Sequence, residues 1–238
     1  MDMTMRNQAD RIVAASIRAV QPDDAVARAL KGVDFPGRVV LVAAGKAAWQ
    51  MAKAARDCLG DRIEGGVVVT KYGHVMGPLG NFDCREAGHP VPDDNSFSGT
   101  QAALELVSGL TGQDTVLFLL SGGGSARFEK PLVDPQVLQD ITGQLLACGA
   151  DIVEINTIRK RLSAVKGGRF AECCKPARVF SIVLSDILGD PLDMIASGPA
   201  VPDTTTCAQA AAIVEKYNLR LTPEARACLQ TETPKHLD

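Results

Sequence analysis

The chain has 238 residues, 46% of them hydrophobic and 22% charged, with a formal net charge of −3 at pH 7. Such a length buries a sizeable core, and the slight acidity argues against a nucleic-acid or membrane partner. Seven cysteines with no Cys-x-x-Cys spacing imply reduced thiols in a cytoplasmic compartment. The first ten residues carry Asp2, Arg6 and Asp10, and no later stretch reaches about 18 uncharged apolar residues, so neither an export signal nor a membrane span is expected.

Helical patterns open the chain at 9–20 and 22–30, the second with Pro22 in its first turn and Asp23 and Asp24 near its positive end. The pattern changes at 38–44 to a continuous apolar run, the signature of a strand buried on both faces. Strand signals recur at 66–70, 83–87, 115–120 and 179–184, and helical patterns fall at 47–59, 96–110, 134–148 and 151–165. Two more helices, 204–217 and 223–230, lead into a polar tail. This alternation predicts an α/β fold, a doubly wound, mostly parallel, Rossmann-like sheet flanked by helices and joined by right-handed crossovers.

Most strand ends lead into a motif. After the first comes Gly45-Lys46-Ala47-Ala48, where Gly45 makes the turn and Lys46 stands at a helix N-terminus. A cation is disfavoured there unless an anion offsets it, the alternative being a plain surface lysine. Val40 and Ala47 break the Walker A spacing, and no dinucleotide fingerprint is present. The third strand leads into Gly88-His89-Pro90-Val91-Pro92-Asp93, a proline-stiffened loop ending in a helix cap. It either presents His89 to a ligand or uses it to hold the loop backbone. The fourth ends in Ser121-Gly122-Gly123-Gly124-Ser125-Ala126, whose glycines let backbone N–H groups converge on an oxyanion. Arg127, two residues after Ser125, removes the Gly-x-Ser-x-Gly elbow of hydrolases.

In the 151–165 helix, Ile155, Ile158, Leu162 and Val165 share a face, while Asn156, Arg159, Lys160, Ser163 and Lys166 turn toward the other. That second face is either solvated or gathers cations for phosphate or carboxylate groups. The fifth strand runs into a loop from Ser185-Asp186 through Gly189-Asp190-Pro191 to Gly198-Pro199. Two carboxylates, glycines and prolines suit a phosphate or metal-phosphate site, although the same residues also form ordinary turns. Three dispersed histidines do not make a zinc site.

In this order, the five motifs resemble those of the glycerate 2-kinase family, in which such a domain precedes a C-terminal MOFRL domain. The resemblance covers about residues 9–235 and implies ATP-dependent phosphorylation of D-glycerate to 2-phosphoglycerate, with ATP and Mg2+ as cofactors. It implies Lys46 as the active-site lysine. Gly45, His89, Ser121, Gly122, Gly123, Gly124, Ser125 and Asn156 are implied to cradle substrate or phosphate, with Arg159, Lys160 and Lys166 as counter-charges. Asp186 and Asp190 are implied to hold the metal or to accept the proton of the attacking hydroxyl. Arg127-Phe128 and Arg161 depart from the family pattern. Because family members are longer, the chain is expected to stop inside the first domain, near Thr233-Pro234-Lys235, leaving the sheet incomplete and the MOFRL domain absent. Self-association or a separately encoded C-terminal domain follows as an expectation. Two rival readings accompany the kinase: a non-catalytic, anion-binding fragment, and a hydroxypyruvate reductase, a label the family has carried. The missing Gly-x-Gly-x-x-Gly after Ala44 counts against the reductase.

Overall fold

Five strands, β1 (Val39–Ala44), β2 (Ile63–Lys71), β3 (Phe82–Ala87), β4 (Thr115–Ser121) and β5 (Arg178–Leu184), form one parallel sheet in the order β3-β2-β1-β4-β5. The computed structural model describes residues 3–237. All five expected strands are present, β1 beginning one residue later than the pattern suggested and β2 three residues earlier. The chain runs outward from β1 to β2 and β3, then crosses to the other side of β1 for β4 and β5. The gap between the C-terminal ends of β1 and β4 is therefore the topological switch point, where open α/β sheets bind ligands.

The apolar run of β1 follows from burial on both faces. Val39, Leu41 and Ala43 pack with Leu117 and Leu119 of β4 beneath α2 (Pro22–Leu30) and α3 (Ala48–Leu59), where Val26, Leu30, Met51, Ala52 and Ala55 meet them. Val40, Val42 and Ala44 face the other way with Val116, Phe118 and Leu120, covered by α4 (Asp94–Val107) and α8 (Arg169–Cys174). Phe118, Phe128 and Phe170 stack there with ring centroids 4.6–5.4 Å apart, a geometry that adds to the area burial. On the outermost strand, β5, Phe180, Ile182, Val183 and Leu184 remain only half-buried.

The N-terminal helix α1 (Met3–Ala19) lies almost wholly exposed. A four-residue turn of helix, α5 (Gly124–Arg127), extends the glycine-rich segment. Four further helices, α6 (Pro135–Ala147), α7 (Ile152–Arg161), α9 (Cys207–Lys216) and α10 (Pro223–Leu229), share a separate apolar core around Leu138, Ile141, Leu145, Ile158, Leu162 and Ile213. The expected 151–165 helix stops at Arg161, because Ser163 leaves to bridge Pro131 and Ala164 N–H bonds the Lys130 carbonyl. Its second face is not solvated: Asn156, Lys160, Ser163 and Lys166 are buried and Arg159 is only partly exposed, and Arg161 beside them is buried too. Lys160 pairs with Asp203 at 3.1 Å and Asp193 at 3.5 Å, and Arg161 pairs with Glu232 at 3.0 Å. The seven cysteines are all free. No helix among the described residues is long and apolar enough to cross a membrane.

Two carboxylates tie this helical core together. Glu154 accepts hydrogen bonds from Lys216 at 2.6 Å and Tyr217 at 2.7 Å, which bring it from 4.5 down to about 2. Glu232 accepts from the Cys207 N–H at 2.7 Å and is likewise lowered from 4.5 to about 2 by that bond first and by Lys235. A lowered carboxylate contributes stability above its unfolded value and loses it as pH falls through its folded one. The Tm gap between the wild type and Glu154→Gln is therefore expected to be widest above pH 4.5 and to close toward pH 2. A gap independent of pH over that window would refute the coupling.

Candidate active site

At the switch point the ends of β1 and β4 are bound to each other. Gly45 leaves β1 with φ +125° and its N–H on the Val69 carbonyl. The Lys46 N–H donates to the Gly122 carbonyl at 2.9 Å, and the Ala47 N–H donates to Ser121 Oγ at 3.0 Å. Thr70 Oγ1 closes the turn by donating to the Lys46 carbonyl at 3.3 Å. Helix α3 starts immediately afterwards with no side-chain cap, so its first N–H groups and positive dipole end face the Lys46 turn. The Lys46 side chain is exposed and forms no ion pair among the described residues.

Three other elements converge on the glycines. The Asp186 carboxylate lies so close to the Gly122 Cα that a Cβ there would overlap it. The His89 ring edge flanks Gly123: a Cβ on that glycine would stand 3.2 Å from Cδ2 and 3.5 Å from Nε2. Asp93 fixes this loop, accepting from Gly88 N–H at 2.9 Å while capping α4 through Ser96 N–H at 2.9 Å. Ala196 presses on Gly124, within 3.1 Å of where a Cβ would sit. Ala196, Ser197 and Gly198 all adopt positive φ, at 51°, 62° and 63°, a run of backbone strain of the kind that clusters at functional sites. Asn156 accepts from Ser197 Oγ at 2.9 Å and so braces that segment from below.

The site is electropositive. Burial first, then the charges of Arg127 and Lys46, push the His89 imidazole below its ordinary value, with Asp186 pulling the other way. Beneath the loop, the Ser125 carbonyl accepts from Lys166 Nζ at 2.8 Å and from Arg159 at 3.4 Å. Lys166 also donates to the Phe128 carbonyl at 3.0 Å and pairs with Glu129 at 3.4 Å. Burial lowers this ammonium to about 8.

The structure thus gathers Gly45, Lys46, His89, Ser121, Gly122, Gly123, Gly124, Ser125 and Asp186 at one crevice. Asn156, Arg159 and Lys166 lie below it as braces, with Ser121 Oγ turned to the Ala47 N–H. Lys160 is directed to Asp203 and Asp193 rather than to the glycine loop. Asp190 stands exposed at φ 48°, four residues beyond Asp186 on the same loop. Among the described residues no group of three His, Cys, Asp or Glu side chains is arranged to hold a metal ion. Two participants escaped the motif reading. One is Arg127, whose Nη1 donates to the Gly123 carbonyl at 3.1 Å; the other is Glu129, buried between Lys166 and Arg159. Their sequence signal was a short run of charges, Arg127, Glu129 and Lys130, directly after the glycine-rich segment. An apolar groove of about 240 Å³ begins one residue from His89, between Pro90, Val91, Pro92 and α6, and reaches Arg159.

A family model described as "Domain of unknown function (DUF4147)" matches residues 8–230. D-glycerate 2-kinase of Thermotoga maritima is 54% identical over 236 residues, covering 98% of this chain and 56% of that protein. A putative hydroxypyruvate reductase of Agrobacterium vitis is 42% identical over 240 residues, covering 98% and 54%. The crystal structure of glycerate kinase from Thermotoga maritima superimposes with a TM-score of 0.92 at 53% identity, covering all of this chain and 57% of that one. The chain spans about half the length of the curated relatives it matches.

Proposed function

Because the chain belongs to the DUF4147 family, and the resemblance of its motifs to the glycerate 2-kinases is borne out by relatives of that name, we propose that it transfers the γ-phosphoryl group of ATP to the 2-hydroxyl of D-glycerate, giving 2-phosphoglycerate and ADP. The observation that carries this reading is the convergence of an unpaired Lys46 and the Asp186 carboxylate on the glycine-rich end of β4. Phosphoryl transfer asks a protein mainly for positioning and for neutralisation of charge on the transferred group.

In this reading the backbone N–H groups around Gly122 to Gly124 hold phosphate oxygens, and Lys46 offsets the charge that spreads over them. His89 is neutral at pH 7 and offers a ring nitrogen to the acceptor hydroxyl. The chemistry of the donor set also fits magnesium. Mg2+ is commonly held by one or two carboxylates together with substrate phosphates, and Asp186 is a carboxylate with no ion-pair partner among the described residues beside the glycine loop. Asp186 would hold the ion, which would supply further neutralisation of phosphate charge. The buried Asn156 and Lys166 and the partly buried Arg159 keep the glycine loop and the strained 196–198 segment in place. A nicotinamide-dependent reductase is the weaker reading, since β1 turns into α3 through the single Gly45 and lacks the three-glycine fingerprint.

Phosphorus NMR of the chain with D-glycerate, ATP and magnesium tests the proposal. Appearance of a 2-phosphoglycerate resonance with matching ADP is expected. A folded chain that leaves ATP intact, or that forms only 3-phosphoglycerate, would overturn it.

A further inference from the structure

Arg127 is 3% exposed, yet no acidic side chain among the described residues lies within ion-pair distance of it. The nearby buried carboxylate, Glu129, is taken by Lys166 at 3.4 Å and Arg159 at 3.6 Å. Arg127 Nη1 is used by the Gly123 carbonyl, while the buried Nε has no hydrogen-bond partner. Elsewhere in this chain the Nε–Nη2 edge of an arginine grips a carboxylate in a fork. Arg38 does so with Asp114 at 3.2 and 2.8 Å, and Arg85 with Asp83 at 2.9 and 2.7 Å. In Arg127 that same edge is unmatched within the protein, and the guanidinium stands against Gly123 beside His89.

A buried guanidinium with an unsatisfied N–H costs stability unless something offsets it. At the switch point the only carboxylate that acts on this guanidinium among the described residues, Asp93, does so from beyond ion-pair distance, which leaves the free edge open to a ligand's charge. We infer that Arg127 recognises an oxyanion of the reactants, forking around two oxygens with its Nε–Nη2 edge, the edge opposite the Nη1 that the Gly123 carbonyl holds. This rests on the kinase reading only for the identity of the oxyanion, which is either the carboxylate of the hydroxy-acid acceptor or a phosphate of the donor; planar guanidinium suits both.

Calorimetric titration of the wild-type chain and Arg127→Leu with D-glycerate, inorganic phosphate and the uncharged analogue glycerol separates the cases, alongside thermal melts. Arg127→Leu is expected to weaken binding of one anion by about 10–100-fold. Its own Tm should be unchanged or higher, because the desolvation cost of the cation is removed. The wild type should gain about 5–10 °C at roughly a hundredfold excess of that anion over its Kd, and the variant should lose this gain. Selective loss of D-glycerate assigns the carboxylate, and selective loss of phosphate assigns the donor. Wild-type binding of phosphate through Arg127 without any D-glycerate binding or turnover would sustain Arg127 and sink the kinase. Unchanged turnover and anion affinity in Arg127→Leu would do the reverse. A wild type that binds neither anion also overturns the inference. Should the leucine variant not fold, Arg127→Lys keeps the charge without the fork, and unweakened anion binding by it counts equally against the proposal.

Discussion

Lys46→Ala is expected to lower the rate of ADP formation with D-glycerate by about 10³-fold while leaving Tm within a degree or so of the wild type. The two halves of that expectation come from different atoms of one residue. The Lys46 main chain is structural: its N–H bonds the Gly122 carbonyl and its carbonyl accepts from Thr70. Alanine keeps both bonds. The side chain is exposed and makes no ion pair among the described residues, so truncation opens no cavity and strands no buried charge. An exposed lysine at the uncapped start of α3 gains nothing for the fold and is electrostatically opposed by the helix dipole. Under the proposed function its value lies in the ligand. Coupled-enzyme initial rates together with thermal melts check the claim: turnover within tenfold of the wild type would remove Lys46 from the chemistry, and a substantially lower Tm would make it a structural residue instead.

What was legible in the sequence was whatever depended on local pattern. The run Val39 to Ala44 announces a strand buried on both faces, and the glycine-rich segments after β1 and β4 announce the strand ends that carry the site. Helix α8 was not legible. Its six residues, set between Gly167-Gly168 and Pro176, are too few to display a helical period, yet its Phe170 completes the aromatic cluster on Phe118. For the charged side chains, periodicity left a solvated face and a gathering of cations for phosphate or carboxylate groups both open, because the partners of Lys160 and Lys166, Asp203 and Glu129, lie 43 and 37 positions away in the chain and only folding brings them together. Asp186 was recognisable as a loop carboxylate, but its seat on Gly122 depends on β4 and β5 being neighbours, which strand order decides. Arg127 read as a departure from a pattern, because nothing in a linear string marks an arginine as buried without a partner.

Gly45→Ala is expected to do what Lys46→Ala does not and damage the fold and the site together. Gly45 has φ +125°, a conformation that L side chains rarely adopt, and a Cβ added there would overlap Ser121 Oγ and the Ser121 main chain. The obstruction is backbone of the interior strand β4, which cannot swing aside as the end of a flexible side chain can. Strain in φ and forced separation of β1 from β4 together cost about 3–5 kcal/mol. The separation also breaks the Ala47 N–H bond to Ser121 Oγ and the Lys46 N–H bond to the Gly122 carbonyl, the two links that set Lys46 against the glycine loop. Gly143 supplies the control. It lies inside α6 with nothing within 4 Å of an added Cβ, so Gly143→Ala should stabilise the chain by about 0.5–1 kcal/mol through helix propensity. Urea denaturation of both variants distinguishes a close-packed switch point from a general intolerance of glycine replacement. If Gly45→Ala unfolded at the wild-type midpoint, the β1–β4 contact would be looser than described, and with it the placing of Lys46 against the glycine loop would fail.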